Sequence, residues 1–134
     1  MKNSHLVGTY TLGYDNVRVV VDGDTAGSAA AVWYNPTDGG CEKIVLKCKG
    51  RSWGDCVSGL LHEAMEAMLH RRGLGYSQSH APREVTDGYL FVMNHHEFDQ
   101  CCDWVALFLS ECLPDLSSAW RKLNKTPKTP KNHK

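Results

Sequence analysis

The segment from Ser52 to Gly73 carries the start, the apolar face and the end of one amphipathic helix. Ser52 is followed three residues later by Asp55, which is the spacing of a capping box. Two arginines and Gly73 close the segment, as is common at a helix C-terminus. The apolar residues between them recur at helical spacing: Val57, Leu60, Leu61, Ala64, Met65 and Met68. We therefore predict helix one over residues 53–72.

A small sheet is predicted before this helix and a second helix after it. The strand segments are rich in apolar or alternating residues and are bounded by turn residues: Tyr10–Asp22 (with Gly13–Asn16 as a turn or bulge within it), Ala29–Tyr34, Glu42–Lys49 and Tyr89–Met93. We expect the first three to pair in an antiparallel sheet. The fold class predicted is α+β, a small antiparallel sheet packed against two main helices.

Helix two is predicted over residues 95–112. Asn94 offers an N-cap, with Glu97 three residues later, and the pattern ends before Pro114. Its stripe is regular: Phe98, Cys101, Cys102, Val105, Phe108, Leu109 and Cys112. The phase of this stripe predicts that His95 faces inward and that His96 lies on the polar face.

Length and charge set the domain organisation. A chain of 134 residues is the size of one domain, and we predict a single globular domain over 1–123. Residues 124–134 are predicted to be a disordered basic tail, because they combine Lys with Pro, Thr and Asn. Basic residues spaced in this way without aromatic residues do not predict nucleic-acid binding.

The six cysteines are interpreted as free, mostly buried thiols. Cys101, Cys102 and Cys112 lie within one helical pattern, and no Cys-x-x-Cys pair is present. No apolar signal sequence opens the chain, and no apolar run approaches the length of a membrane span. These features predict a protein of the reducing cytoplasm without a membrane partner. They do not define an oligomeric state.

Helix one carries the sequence His62-Glu63-Ala64-Met65-Glu66, in which His62 and Glu66 lie one turn apart. An imidazole and a carboxylate at this spacing can bind a single metal ion, for which Zn²⁺ is the cation predicted. Glu63 points about 100° away and could act as general base on a metal-bound water. The alternative interpretation is a hydrogen-bonded histidine beside a solvated acidic face.

A catalytic zinc site needs three protein ligands, so a third must come from elsewhere in the fold. His70 is excluded, because it lies about 12 Å from His62 along the helix axis. His95 is the candidate predicted, since it is expected to face inward at the start of helix two. His96 and His80 are the fallback ligands. A nucleophilic Cys–His pair that uses Cys56 or Cys101 is an alternative with no local motif.

These residues resemble a known family. The strand Ile44–Leu46, a linker and L-L-H-E-A-M-E-A resemble the active-site region of zincin-like metallopeptidases. The H-E-x-x-E-A form with a later helix start, here His95-His96-Glu97-Phe98, resembles small uncharacterised phage and prophage proteins. The resemblance covers residues 42–112 and implies a strand beside the metal helix. It also implies Glu63 as base and, as metal ligands, His62, Glu66 and His95. Glu66 stands where a second histidine is usual.

Three classes of function remain open on the sequence alone. The leading hypothesis is a zinc-dependent hydrolase that acts on a protein or peptide substrate. The second is a non-catalytic, metal-stabilised inhibitor of phage origin that binds a host protein in the host cytoplasm. The third is a metal-free interaction domain in which His62 and Glu66 are surface residues.

Overall fold

A computed structural model describes residues 3–23, 31–35, 40–73, 75–77, 89–91 and 93–125. Two helices and six short strands follow one another along these residues: β1 (Ser4–Leu12), β2 (Asp15–Asp22), β3 (Ala31–Tyr34), β4 (Glu42–Lys47), α1 (Trp53–Arg71), β5 (Gly75–Ser77), β6 (Tyr89–Phe91) and α2 (His95–Leu123). The α+β class with two main helices is confirmed. None of the helices described is long and apolar enough to cross a bilayer.

The main sheet is mixed, with strand order β1-β2-β4-β3, while β5 and β6 form a separate antiparallel pair. β1 pairs with β2 and β3 pairs with β4 in antiparallel fashion, but β2 and β4 are parallel. The predicted antiparallel sheet is therefore wrong at its centre. β4 is a central strand with β2 and β3 as neighbours, and Ile44, Val45 and Leu46 are all buried in it. Consecutive burial is typical of a central strand covered on both faces, not of a strand with one wet face.

β1 and β2 form a hairpin that begins earlier than the sequence predicted. Gly13 has a φ of +66° in the turn, a backbone conformation that glycine adopts without steric cost. The predicted turn within 10–22 is thus confirmed. β1 extends back to Ser4, where the sequence carries no alternation, because each residue there except Val7, at which the register shifts, finds a partner on β2. Ser4, for example, pairs with Asp22.

The two helices pack on the sheet side by side and run in opposite directions. α1 lies over β3 and β4, whereas α2 lies over β1. At one end the rings of Trp53 and Trp120 are 5.9 Å apart, and at the other Arg72 donates a hydrogen bond to Gln100. The core between helices and sheet includes Val17, Val19, Val21, Ile44 and Leu46 from the strands, together with Leu60, Met68, Cys101, Phe108 and Leu116 from the helices.

The buried face of α1 is rotated by roughly one residue from the predicted stripe. Its buried residues are Cys56, Leu60, Glu63, Ala64, Ala67, Met68 and Leu69, and the predicted core residue Leu61 is 42 % exposed. Gly59 explains the rotation. A Cβ at this position would lie 3.1 Å from the Cβ of Ala31, so the absence of a side chain lets α1 approach the edge strand closely. Glu63 lies one helical turn after Gly59 on the same face of α1, and it therefore also contacts β3.

α2 begins where predicted but is longer. Asn94 and Glu97 form a complete capping box, in which each side chain accepts a hydrogen bond from the other residue's backbone N–H. The helix then continues through Pro114, so the predicted end at residue 112 is wrong. An internal proline costs about 3 kcal/mol. Burial of Leu116 and Ala119 beyond the proline offsets that cost. Pro114 has no N–H to donate to the carbonyl of Ser110, but Ser110 is exposed, so water can hydrogen-bond to this carbonyl instead.

The C-terminal boundary of the ordered domain includes Asn124. Its side chain accepts a hydrogen bond from the Gly50 backbone N–H at 2.8 Å and donates one to the Cys48 carbonyl at 3.1 Å. These contacts tie the end of α2 to the turn that precedes α1. The tail was predicted over residues 124–134, of which 126–134 lie outside the described residues.

Two phenylalanines of α2 provide a matched test of this packing. Phe108 is fully buried, whereas Phe98 is 46 % exposed although the sequence stripe placed both in the core. Phe108→Ala is expected to lower the free energy of unfolding by about 3–5 kcal/mol, and Phe98→Ala by about 1 kcal/mol or less. Urea denaturation of both variants measures the difference. Equal losses would contradict the observed phase of α2.

Candidate functional site

Three side chains of α1, those of His62, Glu63 and Glu66, lie together and form what we call the His–Glu cluster. His62 Nε2 lies 3.5 Å from Glu66 Oε2, one helical turn away. Glu63 joins them, so that one nitrogen and two carboxylate oxygens lie within 4.8 Å of one another. No other group of three such ligands is found among the residues that the structure describes. The spacing predicted for His62 and Glu66 is therefore realised, and Glu63 lies closer to the pair than expected.

Glu63 is buried, with only 8 % of its surface exposed. Its Oε2 accepts a hydrogen bond of 3.0 Å from the backbone N–H of Trp33 in β3. Burial raises the pKa of Glu63, and the charge of Glu66 raises it further; His62 and the Trp33 N–H act in the opposite direction. The interpretation of Glu63 as part of a solvated acidic face is thus wrong.

The edge position of β3 makes this hydrogen bond available. Trp33 pairs with Ile44 of β4 on one side only, because β3 is the last strand of the sheet. An edge strand has N–H groups without a strand partner, and Glu63 satisfies one of them. The close contact between Gly59 and Ala31 brings the helix near enough for this to happen.

A polar cleft of about 350 Å³ opens beside the three side chains. It is bounded by Ala31 of β3, by Arg51 before α1, and by the exposed flank of α1 with Ser58, His62 and Glu63. The cleft thus combines a cation from Arg51, a carboxylate from Asp55 and a hydroxyl group from Ser58 with two members of the cluster, His62 and Glu63. This arrangement suits a polar substrate, with Glu63 placed at the wall formed by the helix.

His70 belongs to the surroundings of the cluster, not to the group of three. Its Nε2 lies 3.9 Å from Glu66 Oε1, and its ring centroid is 5.4 Å from that of Trp33. Glu66 therefore lies between two histidines, His62 on the preceding turn and His70 on the next. The two imidazoles are separated by about 12 Å along the helix axis, so they cannot contact one ion together.

His95 does not face the core, and this prediction is wrong. Its side chain is 89 % exposed and pairs with Asp99 at 3.2 Å. Because the helices are antiparallel and Arg72 contacts Gln100, His95 extends past the end of α1. His62 lies ten residues before Arg72, and His95 lies five residues before Gln100 on the antiparallel helix. The two histidines are therefore roughly 20 Å apart along the helix axes.

The two fallback ligands have different outcomes. His96 is exposed on the same first turn of α2 as His95, and thus equally far from the cluster. His80 lies outside the described residues. Sequence reasoning missed the burial of Glu63 because it followed the large apolar residues of helix one. The spacing of the small residues Cys56, Gly59 and Ala67, which marks the face that approaches β3, carried the missing signal.

The two cysteines considered as nucleophiles, Cys56 and Cys101, lie in the core. All six cysteines are free thiols, and four of them, including Cys56 and Cys101, are buried. Burial raises the pKa of both Cys56 and Cys101, which disfavours the reactive thiolate. The Cys–His alternative therefore has no support in the geometry.

Comparison with known proteins found no matching family model, no matching curated protein and no matching solved structure.

The buried carboxylate makes stability depend on pH in a defined direction. The folded-state pKa of Glu63 is raised, so the folded protein favours the protonated carboxyl group. The resulting contribution to the free energy of unfolding is fully present below the unfolded pKa of about 4.3 and is lost as pH rises through the folded pKa. Glu63→Gln removes this loss while keeping an oxygen for the Trp33 N–H. The variant should therefore gain stability over the wild type as pH rises, by about 1.4 kcal/mol per unit of pKa difference.

Urea denaturation between pH 4 and pH 8 measures this effect, and the exposed Glu111→Gln is the matched control. The control should differ little from the wild type throughout. A difference between Glu63→Gln and wild type that stays constant or shrinks as pH rises would contradict the desolvation of Glu63.

Proposed function

We propose that this protein is a zinc-dependent hydrolase whose site is the His–Glu cluster of α1. The observation that carries the proposal is the convergence of one imidazole nitrogen and two carboxylate oxygens within 4.8 Å at a polar cleft. Histidine nitrogen and carboxylate oxygen are both ordinary zinc ligands. The resemblance of the helix sequence to zincin-like metallopeptidases supports the same chemistry.

His62 and Glu66 are two of the metal ligands proposed, because their donor atoms are adjacent and the imidazole is largely exposed to the cleft. For the third ligand that a catalytic zinc site needs, His80 stays the prediction, and it lies outside the described residues. A divalent cation held there would supply Lewis-acid activation of water. Glu63 is the general base proposed. One of its oxygens is fixed by the Trp33 N–H, which leaves the other to accept a proton from a water molecule in the cleft.

A peptide or protein is the substrate class proposed. The cleft lies against the edge strand β3, and an extended peptide can align with such an edge through main-chain hydrogen bonds. Arg51 in the cleft wall adds a cation that suits a carboxylate of the substrate. The reducing cytoplasm, or the host cytoplasm for a phage-encoded protein, is the compartment proposed, because all six cysteines are free thiols.

A second candidate is a metal-stabilised inhibitor of a host protein that performs no turnover. The observation that favours it is the position of Glu66, whose two oxygens each lie near a histidine ring. In this role a metal at His62 and Glu66 would brace the exposed flank of α1 as a binding surface. Glu63 would then contribute to the fold and not to a reaction.

Metal content of protein purified without a histidine tag tests the site. We expect close to one equivalent of zinc in the wild type, and a loss of at least about tenfold in affinity for His62→Ala and for Glu66→Ala. His96→Ala is the matched control, because His96 is exposed on α2 far from the cluster. Wild type without bound metal, or unchanged metal content in His62→Ala, would overturn the metal site.

Glu63→Gln separates the hydrolase from the inhibitor. The hydrolase predicts that this variant keeps its metal and loses cleavage of peptides in an unbiased screen, by about 100-fold or more for loss of a general base. Loss of metal in Glu63→Gln would instead make Glu63 a ligand. Metal-loaded wild type that cleaves no peptide or small amide would favour the inhibitor.

A further inference from the structure

A second cavity, of about 390 Å³, lies at the other end of α1. It is enclosed by the turn between β1 and β2, by the last turn of α1 and by the first turns of α2. Tyr14, Met68, Arg72, Gln100 and Trp104 contribute to its walls. Its volume is in the range of small-ligand sites. The residues of the His–Glu cluster do not line it.

Arg72 supplies this cavity with a cation. Its guanidinium carbon lies 5.4 Å from the ring centroid of Trp104, and its Nη1 donates to Gln100 Oε1. Among the residues that the structure describes, no carboxylate lies within ion-pair distance of Arg72. The neighbouring Arg71 differs, since it donates to both oxygens of Glu42 and to the Leu12 carbonyl.

Tyr14 supplies an open aromatic surface. It is 89 % exposed, which is unusual for a large aromatic side chain, and it packs edge-on against Trp104 at 5.2 Å with an interplanar angle of 71°. The contact with Trp104 holds the ring at the cavity, and most of the ring surface stays accessible. A planar ring that enters the cavity could therefore stack on Tyr14 beside the guanidinium of Arg72.

We propose that this cavity binds a planar aromatic ring that carries one anionic group. The ring stacks on Tyr14, and the anion accepts hydrogen bonds from those N–H groups of Arg72 that have no acceptor among the described residues. The planar fork of arginine matches a carboxylate or a phosphate. Trp104 and Gln100 hold the guanidinium in place for this contact. The site is independent of the hydrolase proposed above.

Asp15 limits the charge of the ligand. Its side chain is 60 % exposed on the cavity wall and lies 3.5 Å from Arg71. Because the Asp15 carboxylate lies in the cavity wall, it repels a ligand that carries several anionic groups. The site therefore favours a monophosphate or a monocarboxylate over a polyphosphate. A nucleoside monophosphate and an aromatic carboxylate share this chemistry and are the two sources to distinguish.

Titration by ¹H–¹⁵N NMR tests the proposal, with the indole N–H of Trp104 as reporter. The probes are adenosine monophosphate and indole-3-acetate, and the controls are adenosine and inorganic phosphate. We expect at least one anionic probe to saturate at millimolar concentration or below, with both controls weaker by about tenfold. The stronger probe identifies the source. No saturation with either probe, or adenosine binding as tightly as its monophosphate, would overturn the proposal.

Two variants locate the binding. Arg72→Gln should weaken the better probe by about tenfold or more, and Tyr14→Ser should do the same without affecting the fold, since Tyr14 is exposed. Arg18→Gln is the matched control, because Arg18 is an exposed cation of β2 outside this cavity. Affinity that is unchanged in Arg72→Gln, or equally reduced in Arg18→Gln, would show that the cavity does not recognise the anion.

Discussion

One ion pair, between Arg71 and Glu42, joins the end of α1 to two strands of the main sheet. The guanidinium of Arg71, at the end of α1, donates to both carboxylate oxygens of Glu42 at the start of β4. A further N–H of Arg71 reaches the carbonyl of Leu12 at the end of β1, at 2.7 Å. The side chain of Arg71 is 15 % exposed and that of Glu42 is 14 % exposed. Loss of one partner would leave the other charge poorly solvated, which is far more costly than loss of a surface pair.

The same ion pair positions the candidate site through Trp33. Glu42 accepts a hydrogen bond of 3.1 Å from the Trp33 indole N–H, while the Trp33 backbone N–H donates to Glu63. The ring of Trp33 also lies beside His70. The edge strand is thus fixed to α1 by its main chain and to β4 by its side chain. Together these contacts hold the carboxylate of Glu63 at β3, next to His62 and Glu66 on the same helix.

The sequence predicted features that depend on neighbouring residues and failed on features that depend on distant ones. The caps at Ser52 and Asn94 and the turn at Gly13 were correct, because a cap or a turn is decided within a few residues. The parallel pairing of β2 and β4 could not be predicted, since nothing local in either strand specifies its direction. The orientation of His95 failed for the same reason, because the length of α1 decides what covers the start of α2.

The candidate site shows this division within a single turn of helix. That His62 and Glu66 lie together follows from helical spacing alone. That Glu63 joins them depends on which face of α1 meets the sheet, and the large apolar residues indicated the wrong phase. The absent side chain of Gly59 decided it, through a close approach to Ala31 that no periodicity of large residues reveals.

The mixed sheet also determines the order in which the chain can fold. β1 with β2, and β3 with β4, are hairpins whose loops are short enough to close early. Their union through the parallel register from Val17–Glu42 to Asp22–Lys47 spans a longer loop and is the slower, higher contact-order event. The hydrogen bond between Tyr10 and Asp115 links residues still farther apart in the chain. The contact between Trp33 and Glu63 differs, because β3, β4 and α1 follow one another in the chain. The environment of Glu63 can therefore form within this local unit, without the pairing of β2 and β4.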